Sequence, residues 1–305
     1  MEKATPNHKR HPGQARHAVP PQSTWRISWN SVIASLIVLA GVAVFLYPHV
    51  ASWFAQKEQS RVIALAQKTT QANEQKQPNP YIAQLEQARK YNDALASGVK
   101  LEANANIPKG YGTTSDDTLN YQHLLAGSEG VMGRLNYSEL DIDLPIYHGT
   151  SDATLLKGVG HLEGTSLPVG GIGQRSVLTA HRGLAESTLF THLDKAKAGD
   201  IFTIAVLDQV LSYRVIDNIT IEPDDTEVLF ADPDKDLVTL ITCTPLGVNT
   251  HRILVTGERI LPTPQSEIDD ALKEPQLPRF PWWLVIGSIT FTGVGLYIWR
   301  SGYQV

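Results

Sequence analysis

The chain has 305 residues, of which 42% are hydrophobic and 19% are charged, and its net charge at pH 7 is −5. This length is enough for one full-sized globular domain with extensions. The acidic balance and the lack of a basic stripe with interleaved aromatic residues argue against a nucleic-acid partner, and the sequence has neither a phosphate-binding glycine loop nor a close cysteine and histidine cluster for a metal.

The first predicted element is an apolar segment, SVIASLIVLAGVAVFLY, at Ser31–Tyr47. Its 17 uncharged residues, at about 1.5 Å each, nearly cross a hydrocarbon core of about 30 Å, and Trp29 and Trp53 suit the two membrane interfaces. We therefore predict a basic tail over residues 1–28 and a transmembrane anchor over residues 29–54. The alternative is a cleaved signal peptide, which the long N-terminal region disfavours.

A second apolar segment, Trp282–Trp299, begins and ends with tryptophan. Five basic residues precede the first segment: Lys3, Lys9, Arg10, Arg16 and Arg26. Because basic flanks mark the cytoplasmic side of a membrane, we predict a two-pass cell-membrane protein with both termini cytoplasmic. Residues from about 55 to 279 would then be extracellular, with a second transmembrane helix over 282–299 and a short cytoplasmic tail over 300–305.

Residues 55–120 are predicted to form a helical region that ends in a loop. Pro80 suits the first turn of a helix with the sequence YIAQLEQARKYNDALAS, and Gly98 is typical of its end. An apolar stripe follows one side of this helix: Tyr81, Leu85, Ala88 and Leu95. Val99–Thr118 lacks periodicity and predicts a long surface loop, and loops of this length are often functional covers or disordered.

From about Tyr121 onward, short β-like runs alternate with turn signals, a rhythm that indicates a barrel or sandwich rather than alternating βα units. Seven runs are predicted as strands: Gly130–Leu135, Leu140–Tyr147, Ser176–Ala180, Ile201–Val206, Val210–Ile221, Leu237–Cys243 and Arg252–Ile260. Short helices are expected in the connections at Ala153–Gly158 and Leu189–Lys197. We place this β-rich domain at residues 121–262 and a linker at 263–281.

The only cysteine of the chain, Cys243, ends the apolar run LVTLITC, which predicts a strand buried on both faces. The connection TPLGVN is short and contains Pro and Gly, so it predicts an antiparallel hairpin with Cys243 and Arg252 across from each other. Side-chain alternation then turns His251 to the opposite face. An exported cysteine without a partner is either a buried, inert thiol or a reactive one.

Nucleophilic catalysis is one interpretation of this pattern. A cysteine attacks as thiolate, which a cationic neighbour favours, and it needs a general acid and base as well as a donor for the oxyanion. Arg252 suits the last task because its guanidinium keeps its charge. His181, at the end of the run SVLTA, is the best of several histidines by spacing. Four others lie before the first strand or in connections: His123, His148, His161 and His192.

Two stretches resemble the sortases, surface transpeptidases of Gram-positive bacteria. TLITCTPLGVNTHRILVTGER resembles their cysteine–arginine segment, and LPIYHGTSDATLLKGVGHLEGTSLPVGG followed by SVLTAHRG is similar to the matching region of the class C, pilin-polymerising group. The resemblance covers roughly Leu125–Leu261. It implies a mainly β fold: a closed sortase-type β-barrel of about eight strands with short helices, preceded by an N-terminal helical region and flanked by two transmembrane helices.

The resemblance also implies an activity and its residues. Cys243 would be the nucleophile, His181 the acid and base, and Arg252 the residue that stabilises the oxyanion and the sorting signal. The implied reaction cleaves the Thr–Gly bond of an LPxTG-like signal, forms a thioacyl enzyme, and transfers the acyl group to a lysine amine of the next pilin. The implied partners are pilin subunits, the lipid bilayer and a cell-wall precursor, without a cofactor, metal or nucleic acid.

Two positions depart from the class C pattern. Enzymes of this class typically carry an Asp-Pro-aromatic lid motif before the barrel, whereas Val99–Thr118 has no such triplet and offers only Tyr111 and the pair Asp116–Asp117. Leu246 stands where the family often has tyrosine, a change at the rim of the expected substrate groove.

Three alternatives to a pilin-polymerising enzyme remain open at this stage. One is a housekeeping sortase whose acceptor is a cell-wall cross-bridge amine. Another is a papain-like hydrolase, in which water resolves the acyl enzyme and an Asn or Asp orients the histidine. The last is a non-enzymatic surface or pilus component with an inert cysteine, for which Cys243→Ala would leave pilus assembly intact.

If the loop over Val99–Thr118 covers Cys243 without the usual motif, its removal should expose the thiol. We expect a variant lacking residues 100–118 to react with iodoacetamide faster than the full chain, as measured by mass spectrometry of the Cys243 peptide. An unchanged labelling rate would dismiss the cover.

Overall fold

The computed structural model describes residues 25–76, 79–95, 99–100, 109–110 and 120–303. The chain divides into two compact units. The smaller unit comes from the two chain ends, up to Ala43 and from Ile286 onward, and the larger unit covers Val44–Val285.

The larger unit is built around eight β-strands. They are β1 (Val131–Tyr137), β2 (Ile142–His148), β3 (Val159–His161), β4 (Gln174–Thr179), β5 (Ile201–Val206), β6 (Gln209–Ile221), β7 (Asp236–Thr244) and β8 (His251–Arg259). Seven of them match the predicted runs to within two residues at each end. The sequence pattern missed β3, because three residues are too few to display an alternation.

The strands close into a barrel in the order β8-β6-β5-β1-β2-β3-β4-β7, with β7 paired to β8. Two neighbouring pairs are parallel, β2 with β3 and β4 with β7, and the remaining pairs are antiparallel. A parallel pair cannot be joined by a tight hairpin. The connection from β2 to β3 accordingly carries a helical turn, α3 (Asp152–Leu155). The predicted closed barrel of about eight strands is confirmed.

The inside of the barrel is filled by apolar side chains that are almost completely shielded from solvent. The rings of Phe202 and Tyr213 stack with centroids 5.6 Å apart, and Leu240 of β7 is fully buried. Every residue of β7 is buried except the last, Thr244. This confirms the prediction of a strand covered on both faces, and such burial on both sides holds the strand in one register.

Helix α2 (Ile82–Ala94) lies against the barrel through the predicted apolar stripe. Leu85 and Ala88 are buried in the main core cluster, and Asn92 fixes the helix with two hydrogen bonds. Its side-chain amide donates to the Leu167 carbonyl at 3.0 Å and accepts from the Leu167 N–H at 2.7 Å. The predicted end of this helix at Gly98 lies outside the described residues.

Among the described residues, two helices are long and apolar enough, by length and composition, to cross a membrane: α1 (Trp29–Lys76) and α5 (Trp282–Ser301). The polar stretch after the predicted anchor, expected as helix or spacer, continues α1 to Lys76. In the smaller unit the indole N–H of Trp25 donates to the Trp299 carbonyl at 3.1 Å. The residues just before α1 therefore lie next to the end of α5.

The two helices predicted in the connections are shorter than expected. Instead of a helix over Ala153–Gly158, the chain forms the single turn Asp152–Leu155. Instead of one over Leu189–Lys197, it forms a 3₁₀ turn at Leu193–Lys195. In the second case the reason is local, since Leu189 has a φ of 38°, which lies outside the helical region.

The predicted loop at Val99–Thr118 is described only in part. Val99–Lys100 pairs with Lys109–Gly110 as a small antiparallel ladder. Residues 101–108 and 111–119 lie outside the described residues, and with them Tyr111, the Asp116–Asp117 pair and the predicted cover.

The segment predicted as a linker contains helix α4 (Gln265–Leu272) and is hydrogen-bonded to a buried arginine of the barrel, Arg134. Arg134 and Asp143 form two contacts, Nε to Oδ1 at 2.6 Å and Nη2 to Oδ2 at 2.8 Å, with side chains 6% and 7% exposed. Nη1 of Arg134 also donates to the carbonyls of Ala271 and Lys273 at 2.8 and 2.9 Å. One buried guanidinium thus fixes the end of α4 to two barrel strands.

Replacing Arg134 should therefore destabilise the larger unit strongly. Arg134→Ala leaves the Asp143 carboxylate buried without its partner, a change that typically costs about 3–5 kcal/mol. Urea unfolding followed by tryptophan fluorescence would measure the loss. Arg214→Ala removes an exposed arginine of β6 and should change the unfolding free energy by no more than about 0.5 kcal/mol. Equal effects of the two changes would contradict the anchoring role.

Candidate active site

Cys243 lies one residue before the end of β7, and its direct partner on β8 is Arg252. Residues directly opposite each other in an antiparallel pair project to the same face, with Cβ atoms about 4.5–5.5 Å apart. The predicted juxtaposition of thiol and guanidinium is therefore confirmed. His251 is paired with Thr244, one step along the strand, so alternation puts its side chain on the other face, as expected.

Arg252 is the largest of the fully buried side chains, with only 1% of its surface exposed. Its Nη1 donates to the carbonyls of Asn249 and His251 at 2.8 and 3.0 Å. Both acceptors belong to the β7–β8 connection or its edge, so the short hairpin holds the guanidinium in place. A buried guanidinium remains charged, and it supplies a fixed positive charge next to the thiol.

His181 approaches Cys243 from the other side of β7. Strands β4 and β7 are parallel with Thr179 opposite Ile241, and the ladder continues as Ala180 N–H donates to the Ile241 carbonyl at 3.3 Å. The hydroxyl of Thr242 also donates to the Ala180 carbonyl at 2.8 Å. Extending this register by two residues brings His181 level with Cys243. Three strand ends thus gather the three predicted site residues, with the cysteine in the middle.

Burial favours the neutral forms of the cysteine and the histidine. Burial raises the pKa of the Cys243 thiol above its ordinary value, and the charge of Arg252 opposes this rise. Burial likewise lowers the pKa of the His181 imidazole, against the opposing charge of Asp152. At neutral pH the resting pair is consequently a thiol and a neutral imidazole, which can accept the thiol proton when a substrate arrives.

Two histidines expected in connections lie in strands instead, and both serve the structure. His161 belongs to β3 and is completely buried, and burial lowers its pKa to about 4. Its ring nitrogens contact the hydroxyl of Tyr121 and the carbonyl of Ser166, each at 2.9 Å. His148 ends β2 and binds the Leu124 carbonyl at 2.7 Å. The sequence pattern missed these positions because it missed β3, the strand that pairs with β2.

Two charged residues near His181 were not singled out from the sequence. Asp152, at the start of α3, influences the pKa of His181, and nothing in its local sequence points to a partner 29 positions away. Arg182 directly follows the candidate histidine in LTAHRG. This adjacency could have pointed to a role in the site, but only the structure gives the partners of Arg182. Arg182 contacts Thr244, the residue after Cys243, through a hydrogen bond of 2.9 Å.

Acyl transfer by a cysteine needs a nucleophilic sulfur, a proton acceptor and donor, and a positive charge for the developing oxyanion. Cys243, His181 and Arg252 are of the residue types that suit these three tasks. Within the described ranges, no group of three His, Cys, Asp or Glu side chains is placed to hold a metal ion.

Comparison with known proteins identifies the family. A family model described as the sortase domain matches residues 135–260, a range that contains all three site residues. The chain is 34% identical over 131 residues to sortase A of Listeria monocytogenes, and this similarity covers 43% of the chain and 57% of the relative's length.

Solved structures match over nearly their whole length. Sortase C-1 of Actinomyces oris is 44% identical with a TM-score of 0.53, and the match covers 58% of this chain and 97% of that one. A sortase C of Streptococcus pneumoniae, described in terms of pilin substrate specificity, is 36% identical with a TM-score of 0.55, covering 66% and 96%. By family model, sequence identity and fold together, the chain belongs to the sortase family of cysteine transpeptidases.

Proposed function

We propose that this chain is a membrane-anchored transpeptidase that joins pilin subunits through an acyl enzyme on Cys243. Its substrate is a pilin with an LPxTG-like sorting signal. The observation that carries the proposal is the direct pairing of Cys243 with the buried Arg252 across β7 and β8, with His181 level with them two residues beyond the end of β4. A merely structural cysteine would not need a fixed charge on one side and a histidine on the other.

In the first half-reaction, the neutral imidazole of His181 takes the proton from the Cys243 thiol as the sulfur attacks the threonine carbonyl. The carbonyl oxygen becomes negative, and the Arg252 guanidinium stabilises this charge. The C–N bond to glycine then breaks. The imidazolium gives its proton to the departing amine, so a thioester remains on the enzyme and the proton count balances.

In the second half-reaction, the neutral amine of a lysine attacks the thioester carbon. The C–S bond breaks, and the amine proton passes through His181 back to the sulfur. One peptide bond is exchanged for one isopeptide bond, and no oxidant, reductant or cofactor takes part. Water in place of the amine would give hydrolysis, as in the papain-like alternative.

The choice of a pilin over a cell-wall acceptor rests on the relatives. The Streptococcus pneumoniae sortase C, whose structure is described in terms of pilin substrate specificity, is 36% identical to this chain and is matched over 96% of its length. Because relatives named sortase A also match this chain, the housekeeping reaction is a second candidate. A cell-wall precursor is the acceptor in that case.

The proposed location is the cell membrane, with both termini in the cytoplasm and the barrel outside. The contact between the residues just before α1 and the end of α5 in the smaller unit supports two spans with both ends on one side. The basic residues before α1 support the cytoplasm as that side. The proposed catalytic barrel keeps the boundaries 121–262.

The purified chain, an LPxTG-type peptide and a pilin domain as amine donor should yield a thioacyl adduct on Cys243 and then an isopeptide product. Mass spectrometry would detect both species. Cys243→Ala should abolish both, and His181→Ala should lower the rate by at least about a hundredfold, which is within the usual range for general acid–base catalysis.

The matched control is His123→Ala, which removes an exposed histidine and should leave the rate unchanged. Product with a cell-wall cross-bridge amine but none with the pilin would favour the housekeeping reaction. An adduct that only hydrolyses would contradict the transferase assignment, and wild-type activity in Cys243→Ala would refute the nucleophile.

Arg252 should also lower the pKa of the thiol beside it. In Arg252→Gln this positive charge is lost, so the thiolate is less favoured and the pKa of Cys243 rises further. We expect the inflection of iodoacetamide labelling against pH to move to higher pH, with slower labelling at pH 7. Labelling that shifts to lower pH, or does not shift, would contradict the electrostatic role.

A further inference from the structure

We infer that Arg182 is a positioning residue that fixes His181 relative to Cys243. The inference rests on the proposed function, because it assigns Arg182 a task in the same site. Arg182 follows His181 in the chain, and its side chain reaches across to Thr244, which follows Cys243. It therefore connects the immediate neighbours of the two residues that must exchange a proton.

The guanidinium of Arg182 is held from three directions. Nη1 donates to the Thr244 hydroxyl at 2.9 Å, Nε donates to the Thr191 carbonyl at 3.2 Å, and Nη2 lies 3.0 Å from the Asp194 carboxylate. The side chain is only 11% exposed. A planar fork with donors in fixed directions can satisfy three such partners together, whereas a lysine ammonium on a flexible stem cannot.

Thr191, one of these partners, belongs to a loop that is closed at its base. The His181 carbonyl accepts from the Phe190 N–H at 3.1 Å, and the Gly183 N–H donates to the Thr191 hydroxyl at 3.2 Å. Residues 181–183 thus lie beside residues 190–191. Arg182 joins both sides of this base to the end of β7, so it couples the whole loop base to the cysteine strand.

Asp194, the ionic partner of Arg182, is itself well anchored. It lies in the 3₁₀ turn Leu193–Lys195, and Asn218 of β6 donates from its amide to the Ala196 carbonyl at 2.8 Å and to the Asp194 carbonyl at 3.4 Å. The position of Arg182 is consequently fixed relative to the barrel wall through β6 as well as through β7.

A second contact joins the same two loops next to Arg182. Gly183 has a φ of +73°, and a Cβ built on it would lie 2.4 Å from Cδ2 of Leu246. Leu246 belongs to the β7–β8 connection that also holds Arg252. The loop that follows His181 is therefore hydrogen-bonded to the end of β7 at Arg182 and packed against the β7–β8 connection at Gly183. Both contacts leave the His181 backbone little freedom to shift.

The consequence concerns the reaction rate rather than substrate binding. Arg182 contacts protein groups on both sides, and its bonds keep the imidazole where it can take and return the thiol proton. A displacement of about 1 Å in a catalytic group can lower the rate about a hundredfold. Loss of Arg182 should thus lower kcat and leave KM nearly unchanged.

The chain offers a matched control in Arg175, on the same pair of strands. Its Nε donates to the Phe230 carbonyl at 2.9 Å and its Nη1 to the hydroxyl of Thr239 at 2.8 Å. Like Arg182, it donates to a backbone carbonyl outside β7 and to the hydroxyl of a threonine within β7. Thr239, however, lies four residues before Cys243 along that strand, so Arg175→Ala removes similar bonds away from the reacting groups.

The first test is kinetic and uses the full chain with peptide and pilin domain. We expect Arg182→Ala to lower kcat by about ten- to a hundredfold with KM within about twofold, while Arg175→Ala stays within about twofold in both. Thr244→Val should reproduce part of the loss, and Thr244→Ser, which keeps the hydroxyl, should restore it. A kcat of Arg182→Ala equal to that of Arg175→Ala would overturn the inference.

The second test needs no catalysis. Because the chain has a single cysteine, the variant His181→Cys can form only one intramolecular disulfide, to Cys243. Under oxidised glutathione it should cross-link quickly, and at least about fivefold more slowly when Arg182→Ala is added, since a freer loop spends less time in bonding geometry. Equal cross-linking rates would overturn the inference, whatever the enzyme does.

The two tests separate the inference from the proposed function. If the wild-type chain forms no adduct but the cross-linking rate still depends on Arg182, the proposed function fails and the positioning role stands. Thermal unfolding of each variant distinguishes local loosening from loss of fold: Arg182→Ala and Arg175→Ala should unfold at similar temperatures.

Discussion

The pairing of β7 with β4 on one side and β8 on the other is the constraint on which the site depends. β7 is buried over its length and is therefore held in one register. Through β8 it fixes Arg252 opposite Cys243, and through β4 it brings His181 level with the same residue. The pairing of three strands thus brings His181, which is distant in the sequence, to the hairpin that carries Cys243 and Arg252.

The same burial that fixes the register also opposes the charged state of the nucleophile. It raises the pKa of Cys243 and lowers that of His181, and the neighbouring charges of Arg252 and Asp152 offset these shifts only in part. The site therefore holds its proton on sulfur at rest. In the proposed mechanism, catalysis depends on an accurately placed imidazole more than on a preformed thiolate, which is why bonds that orient the His181 loop matter.

Local sequence was informative wherever the structure is determined by near neighbours. The apolar run before Cys243 and the short connection after it predicted the β7–β8 hairpin, because a hairpin register follows from its loop and its alternation. The three-residue strand β3 and the partners of Arg182 were not predictable in this way. Both depend on contacts between distant segments, and neither leaves a periodic trace in the chain.

The burial of the single thiol has a further consequence for the lifetime of the protein. Oxidation to sulfenic and sulfinic acid depends on thiolate character and on solvent access, and both are low for Cys243 in its resting state. In the oxidising surroundings proposed for the barrel, the features that slow the nucleophile also protect it from irreversible damage. Reactivity is then reserved for the moment when a bound substrate and His181 act on the sulfur together.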